Sequence, residues 1–356
     1  MNRVDMPEMN AMNVAESRPF PEDRTLRVSI VIVVWNARAY VLECLESLRE
    51  YCAGVYSEVI VVDNASTDGT PDMVAERFPE FQLIRNSENL GFARANNIGM
   101  SRCIGEFVCL VNSDVKFTSD CITPMLDYLA AHADVGMVGP QMLGADGEVR
   151  RSTMRFPTVW NSFSRALGLD VVFKRSSLFG GMMMSDFDHL RTRPVEVLNG
   201  WFVLARRSAI ERVGLFDPQF FMYGEDVDWS YRFNQAGQKL VFFAETGAIH
   251  YGGASSAQAP VRFHLELYRA TWQYWRKHRG WLAQRAFLGI TALHHGIRAI
   301  GAALSRLNRA GGSQNAGLHW ERSIGCLRWV MHTFWKKSAN PPFATQNHSA
   351  FVETDP

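Results

Sequence analysis

Three stretches of this 356-residue chain place acidic and amide side chains directly after short apolar runs, where a fold can hold them rigidly. The first is "VVDNASTDGT" (61–70). A carboxylate fixed at a strand end, as at Asp63, could accept a hydrogen bond from the imino N–H of a pyrimidine base. The same residues also fit a loop closed by Asn, Ser and Asp hydrogen bonds that caps a helix at Thr70. The second is "LVNSD" (110–114), where Asn112 and Asp114 could offer oxygens to a Mg2+ or Mn2+ ion bridging a diphosphate, or could form an Asx turn. An ion there would offset charge on a departing nucleotide diphosphate. The third is "FFMYGEDVDWSYRFNQAG" (220–237), with Glu225, Asp226 and Asp228 at the start of an amphipathic helix. Acids there complement the helix dipole. The four large apolar residues before them also suggest a partly dry pocket wall, where a carboxylate kept ionised could act as a general base. His250, before the turn "GGASS", is either a structural histidine or a metal or diphosphate contact.

These groups need a scaffold, and the apolar pattern supplies one. Runs at 27–34, 58–62, 81–84 and 106–111 read as buried strands, and 37–52, 70–78 and 90–103 carry apolar residues at helical spacing. That alternation implies a parallel sheet with helices on both faces and a ligand crevice beyond the strands' C-terminal ends. Trp35 and Asn36, the 63–69 cluster, and Asn112 to Asp114 all fall at such ends. The first turn, "WNARAY", lacks both GxGxxG and a P-loop, which argues against a dinucleotide oxidoreductase and a P-loop kinase. Further on, 122–132 reads as a helix, 135–143 as a strand and turn, 195–214 as strand into helix and 238–251 as a strand. The aperiodic 150–193 reads as a mobile or acceptor-facing excursion.

Hydrophobic residues make up 47% of the chain, enough for a large core, and 37 basic against 36 acidic side chains leave no electrostatic footprint for nucleic acid. Six cysteines without a CxxC pair read as buried thiols in a reducing cytosol. Residues 1–26 read as a flexible lead and 339–356 as a disordered tail. No uncharged apolar run of roughly 18 residues predicts a membrane span. Within the helical 281–309, Ile290, Leu293, Ile297, Ile300, Leu304 and Leu307 form one stripe, with Arg285, Arg298, Arg306 and Arg309 nearby. The stripe could lie on an anionic membrane surface, or pack on the rest of the chain or on a second subunit, giving a homodimer.

Seven pieces in order, "VVWN", "VDNASTDGT", "NLGFARANNIG", "LVNSD", "LNGWFVLARRSAIERVGLFD", "FFMYGEDVDWSYR" and "AIHYGGASS", resemble the family 2 glycosyltransferases of the GT-A fold, in their rhamnosyltransferase-like branch. The resemblance covers 27–256 and implies an α/β catalytic domain, with a mostly parallel central sheet flanked by helices. Its nucleotide-binding half would be 27–115 and its acceptor-side half 116–256, followed by a C-terminal helical region, 257–338. It implies inverting, metal-dependent transfer from a nucleotide-diphospho-sugar. Asp63 would hold the base, with Asn36, Asn64, Asp68, Arg94, Asn97 and Asn112 in the nucleotide crevice. Asp114 would bind Mg2+ or Mn2+, with Asn112 standing where the family's DxD motif has its first acid. Asp226 would be the catalytic base, Glu225 and Asp228 would support the acceptor pocket, and His250 would approach the metal or diphosphate.

The implied donor is dTDP-rhamnose, and the implied acceptor a glycan or polyprenyl-linked sugar of cell-surface polysaccharide such as O-antigen. The implied location is the cytoplasm, at the inner face of the membrane. Two alternatives stand beside this reading. One is a sugar-nucleotide or polysaccharide-binding module without turnover. The other is a sugar-phosphate nucleotidylyltransferase, whose glycine- and basic-rich first loop "WNARAY" does not supply.

Overall fold

The structure, a computed structural model, describes residues 28–55, 58–173, 175–253, 256–307 and 313–335. The expected lead 1–26, the tail 339–356 and Arg309 lie outside the described residues. The first part alternates as the apolar pattern requires: β1 (Val28–Val34), α1 (Arg38–Cys52), β2 (Glu58–Asp63), α2 (Thr70–Arg77), β3 (Gln82–Arg85), α3 (Phe92–Met100) and β4 (Phe107–Asn112). These four strands are parallel, in the order β3-β2-β1-β4. β1 is apolar apart from Ser29 because both its faces are covered. Val28, Ile30, Ile32 and Val34 pack into one core and Val31 into the other, as the two-residue period of a strand dictates. α1 and α2 cover the first core with Val41, Leu45, Leu48, Met73 and Val74, and α3 covers the second with Ala93, Ala95 and Met100.

The chain continues through β5 (Val115–Lys116), α4 (Ile122–Ala131) and β6 (Val135–Leu143). β6 is a strand throughout, where a strand and turn were expected. Pro140 is tolerated because it pairs with Phe243 at the edge of a break in register. The excursion consists of short pieces: β7 (Val149–Arg150), β8 (Thr153–Met154), α5 (Val159–Ala166), α6 (Leu169–Val172), β9 (Arg193–Val195) and β10 (Val197–Leu198). Thr158 closes a capping box on α5, and Arg155 pairs with Asp186 at 2.7 Å.

β11 (Phe202–Arg206), α7 (Arg207–Val213), α8 (Glu225–Gln235) and β12 (Lys239–His250) complete the sheet. β11 enters antiparallel between β4 and β6. Its continuous apolar run shows burial on both faces but says nothing of direction. β12 runs parallel to β6 and antiparallel to β5 and β9.

Three helices follow: α9 (Pro260–His278), α10 (Trp281–Leu307) and α11 (Ser313–Trp335). They share the second core, to which they add Ala270, Tyr274, Trp275, Phe287, Leu288 and Val330 beside Trp229 and Phe233 of α8. The face of α10 turned inward carries Phe287, Leu288, Thr291, His295, Ala299 and Ala302. Of the stripe read from the sequence, Leu293, Ile297, Ile300 and Leu304 are exposed and do not pack on the rest of the chain. Trp281–Arg306 is also long and apolar enough to cross a membrane by length and composition, with a mean hydropathy of 1.2 and a third of its apolar window buried. An uncharged run misses this helix because arginines interrupt it.

Candidate active site

The sheet register assembles the site. Val34 at the end of β1 is level with Asp63 of β2, and Val33 with Asn112 of β4. With adjacent strands about 4.8 Å apart, Asp63 and Asn112 flank the end of β1 on either side. Asp63 is buried, and its Oδ2 accepts from the Ser66 amide at 3.1 Å. Its Oδ1 is buried without a protein partner. Buried polar atoms are nearly always paired, so this oxygen is available to a donor from outside the chain.

The neighbouring residues build the loop around Asp63. Asn36, in the left-handed region at φ 47°, accepts from Thr67 N at 2.8 Å, and its own amide donates to Ser66 Oγ. Asp68 accepts from the Arg38 amide and from Thr70 N and Oγ1. Burial alone would raise Asp68, but these hydrogen bonds hold it below its usual range. Asn64 donates to Asn89 and Gly91 and accepts from Asn86 and Leu90, so it orders the 86–91 loop. The side-chain hydrogen bonds of Asn64 and Asp68 are thus made within the protein. Arg94 and Asn97 turn elsewhere as well: Arg94 donates to the Pro218 carbonyl, and Asn97 exchanges two hydrogen bonds with Phe216. They brace the segment that leads into α8.

Beyond β4, Asp114 Oδ1 lies 3.1 Å from His250 Nε2, and Asn112 Nδ2 lies 3.4 Å from the same nitrogen. Asn112 Oδ1 is buried without a partner. The His250 ring stacks on Trp201 at 5.2 Å, and the Trp201 carbonyl accepts from the Asn112 amide at 2.8 Å. One residue earlier, the Gly200 amide donates to Asp226 Oδ2 at 3.2 Å. A single turn, Asn199 to Trp201, therefore touches both the Asn112–Asp114–His250 group and the α8 carboxylate. Two carboxylate oxygens, an amide oxygen and an imidazole nitrogen form a donor set suited to Mg2+ or Mn2+.

The three α8 acids face different surroundings. Burial raises Asp226, although the amides of Gly200 and Val227 bond its carboxylate. Glu225 is raised well above its usual range by burial and then by the adjacent Asp226 charge, and its Oε2 is unpartnered. Asp228 is fully buried in an ion cluster with Arg232 at 2.9 Å, Lys277 at 2.8 Å and His278 at 2.7 Å. Burial opposes its ionisation, yet these partners lower it to about 2. Its expected role at an acceptor pocket does not match this setting; Asp228 fastens α9 to α8.

Sequence reasoning gave no role to Gly200, Trp201 or Glu266. The first two lie in "LNGW" (198–201), a stretch without an ionisable group, and Glu266 in a tail read as separate. Burial raises Glu266 to about 7, and its charge in turn acts on Glu225.

A family model described as glycosyl transferase family 2 matches residues 29–213, just over half of the chain. The chain belongs to that family. Among the relatives of this glycosyltransferase, an N-acetylglucosaminyl-diphospho-decaprenol L-rhamnosyltransferase of Mycobacterium tuberculosis is 28% identical over 235 residues, covering 63% of this chain and 76% of that protein. The O-antigen biosynthesis protein RfbC of Myxococcus xanthus is 24% identical over 291 residues, covering 78% of this chain and 22% of that protein. A mannosyltransferase from Pyrobaculum calidifontis, solved in complex with GDP-Man and Mn2+, aligns over 91% of each chain with a TM-score of 0.51 and 18% identity, which speaks to the fold alone. The glycosyltransferase has the GT-A arrangement expected of its motifs, with the C-terminal helices added to it. The nucleotidylyltransferase alternative falls with this family membership.

Proposed function

We propose that this glycosyltransferase moves rhamnose from dTDP-rhamnose, with inversion and with the help of a divalent ion, onto a glycan or polyprenyl-linked acceptor. The observation that carries the reaction is the Asn199–Trp201 turn, which links Asp226 to the Asn112–Asp114–His250 group. For the donor, the unpartnered Asp63 Oδ1 suits the imide N–H of thymine or uracil. The identity of the sugar rests on the mycobacterial relative, which is named for L-rhamnose transfer to a decaprenol-linked sugar. Work on a lipid-linked acceptor from a nucleotide donor would place the protein in the cytoplasm, at the inner face of the membrane.

Asp226 accepts the proton of the acceptor hydroxyl as that oxygen bonds to the anomeric carbon. The bond from that carbon to the diphosphate oxygen breaks on the opposite side, and the electron pair leaves with the nucleotide. Asp114, His250 and the Asn112 oxygen would hold the ion, which when bound offsets charge on that diphosphate. Glu225 and Asp226 are adjacent and both raised by burial, Glu225 also by the Asp226 charge, so they titrate as a pair beside the acceptor. Calorimetric titration with dTDP-rhamnose, UDP-glucose and GDP-mannose, each with and without Mn2+, tests the reading. Mn2+-dependent binding of dTDP-rhamnose is expected. Absence of binding by folded protein, or preference for a guanine nucleotide, sinks it. An Asp226→Asn protein that binds donor without turnover separates an enzyme from a binding module.

A further inference from the structure

Away from the strand ends, one residue from each C-terminal helix meets at a single point: His264 of α9, His295 of α10 and Cys326 of α11. We propose that these three residues form a structural zinc site that clamps the three helices together. Their ligand atoms all lie within 4.8 Å of one another. Bonds of about 2.0–2.1 Å to nitrogen and 2.3 Å to sulfur put ligand atoms of a tetrahedral zinc site about 3.3–3.7 Å apart. Side-chain rotations of about an ångström therefore close the site.

The second observation is His295 itself. Its side chain is fully buried, and neither ring nitrogen has a partner. A buried imidazole normally uses at least one nitrogen, and this ring instead meets those of His264 and Tyr268, at 5.5 and 4.6 Å between centroids. The backbone is arranged for the approach: a Cβ on Gly325, next to Cys326, would meet Leu265 Cδ1, next to His264, at 2.8 Å. Glycine lets α11 come close enough to α9 for the thiol to reach the imidazole. Two imidazoles and a thiolate select zinc over the harder ions suited to the Asp114 group. Burial raises the Cys326 thiol to about 12, with nearby Arg269 opposing that rise, so zinc binding would have to convert the thiol to thiolate and release its proton to solvent. The fourth position falls to water.

The test uses the full-length protein purified from zinc-supplemented medium, and a cobalt-exchanged sample of it. One zinc per chain, held through gel filtration, and a near-ultraviolet thiolate-to-cobalt band are expected. Cys326→Ser should abolish that band and Asp114→Asn should retain it, because Asp114 belongs to the other site. X-ray absorption of zinc-loaded wild-type protein needs no variant: a shell with one sulfur and two imidazoles supports the site. Metal-free protein with no cobalt–thiolate band, a band that survives Cys326→Ser, or a shell of oxygen and nitrogen alone would overturn it. A structure with only water among the three side chains would do the same.

Discussion

Asp226 and Asp228 stand two residues apart, about 200° around a helix, so one turns toward the sheet's C-terminal edge and the other toward α9. Burial acts on both, with opposite outcomes. Asp226 has only amide donors and is raised, whereas Asp228 has Arg232, Lys277 and His278 beside it and is lowered to about 2. A general base must be ionised to accept a proton, so transfer should fall as pH drops through the Asp226 pKa. Because that pKa is raised, the acid limb of kcat/KM should lie above the ordinary aspartate value of about 3.9. A limb at or below that value would remove Asp226 as the base. Asp226→Asn should cost on the order of 10²- to 10⁴-fold in kcat, with donor affinity kept.

Asp228 belongs to the scale of elements, since it joins helices. Removing one partner of a buried ion pair costs about 3–5 kcal/mol by leaving the others uncompensated. Asp228→Asn should lower stability by that order in denaturant unfolding at neutral pH. Its folded pKa is depressed, so the wild type's advantage is present above the unfolded value of about 3.9 and fades as pH falls through about 2. A variant as stable as wild type at pH 7 would show that the cluster is idle. A second element-scale device is Gly91, at φ 84°, where a Cβ would run into the Phe221 carbonyl and ring. Phe92 N donates to that same carbonyl at 2.6 Å, which ties the start of α3 to the approach to α8. Gly91→Ala should cost at least about 2 kcal/mol and depress turnover along with stability; an unchanged Tm would refute the coupling.

These elements also mark how far the sequence could be read. The strands and helices from 27 to 111 were legible to within a few residues because both sheet faces are covered, leaving unbroken apolar runs that polar strand ends cut sharply. That Asp63, Asn112, Asp114, Asp226 and His250 stand at or just past strand and helix ends was legible for the same reason: such ends are where polar residues stop being able to hide. The partners of Arg94, Asn97 and Asp228 were not, because a helix's period gives its faces without saying which neighbour each face meets. The direction of β11 and the packed side of α10 were hidden likewise, since both depend on contacts far away in the chain.

At the scale of the whole molecule, the C-terminal helices complete the second core with one side and leave an apolar surface on the other. Leu293, Ile297, Ile300 and Leu304 recur along α10 at steps of four, three and four, and are 42%, 47%, 64% and 60% exposed. Such a stripe in water calls for a cover. At the far end of the helix pair, Trp281, Leu282 and Trp335 are exposed, and Arg285 bonds the Phe334 carbonyl at 2.9 Å. Aromatic rings with arginines beside an aliphatic stripe are the chemistry of an interfacial helix on anionic lipid. That cover would also bring the site to a polyprenyl-linked acceptor. The protein should therefore sediment with vesicles containing anionic lipid, and less so as salt is raised. Ile300→Glu with Leu304→Glu should weaken vesicle binding at least about tenfold, since each CH2 withdrawn from lipid forfeits about 0.8 kcal/mol. Stability should change by no more than about 0.5 kcal/mol, because neither side chain is buried. If wild type ignores vesicles but runs at twice its mass, and the double variant runs at its own, the stripe is covered by a second copy and the membrane reading fails.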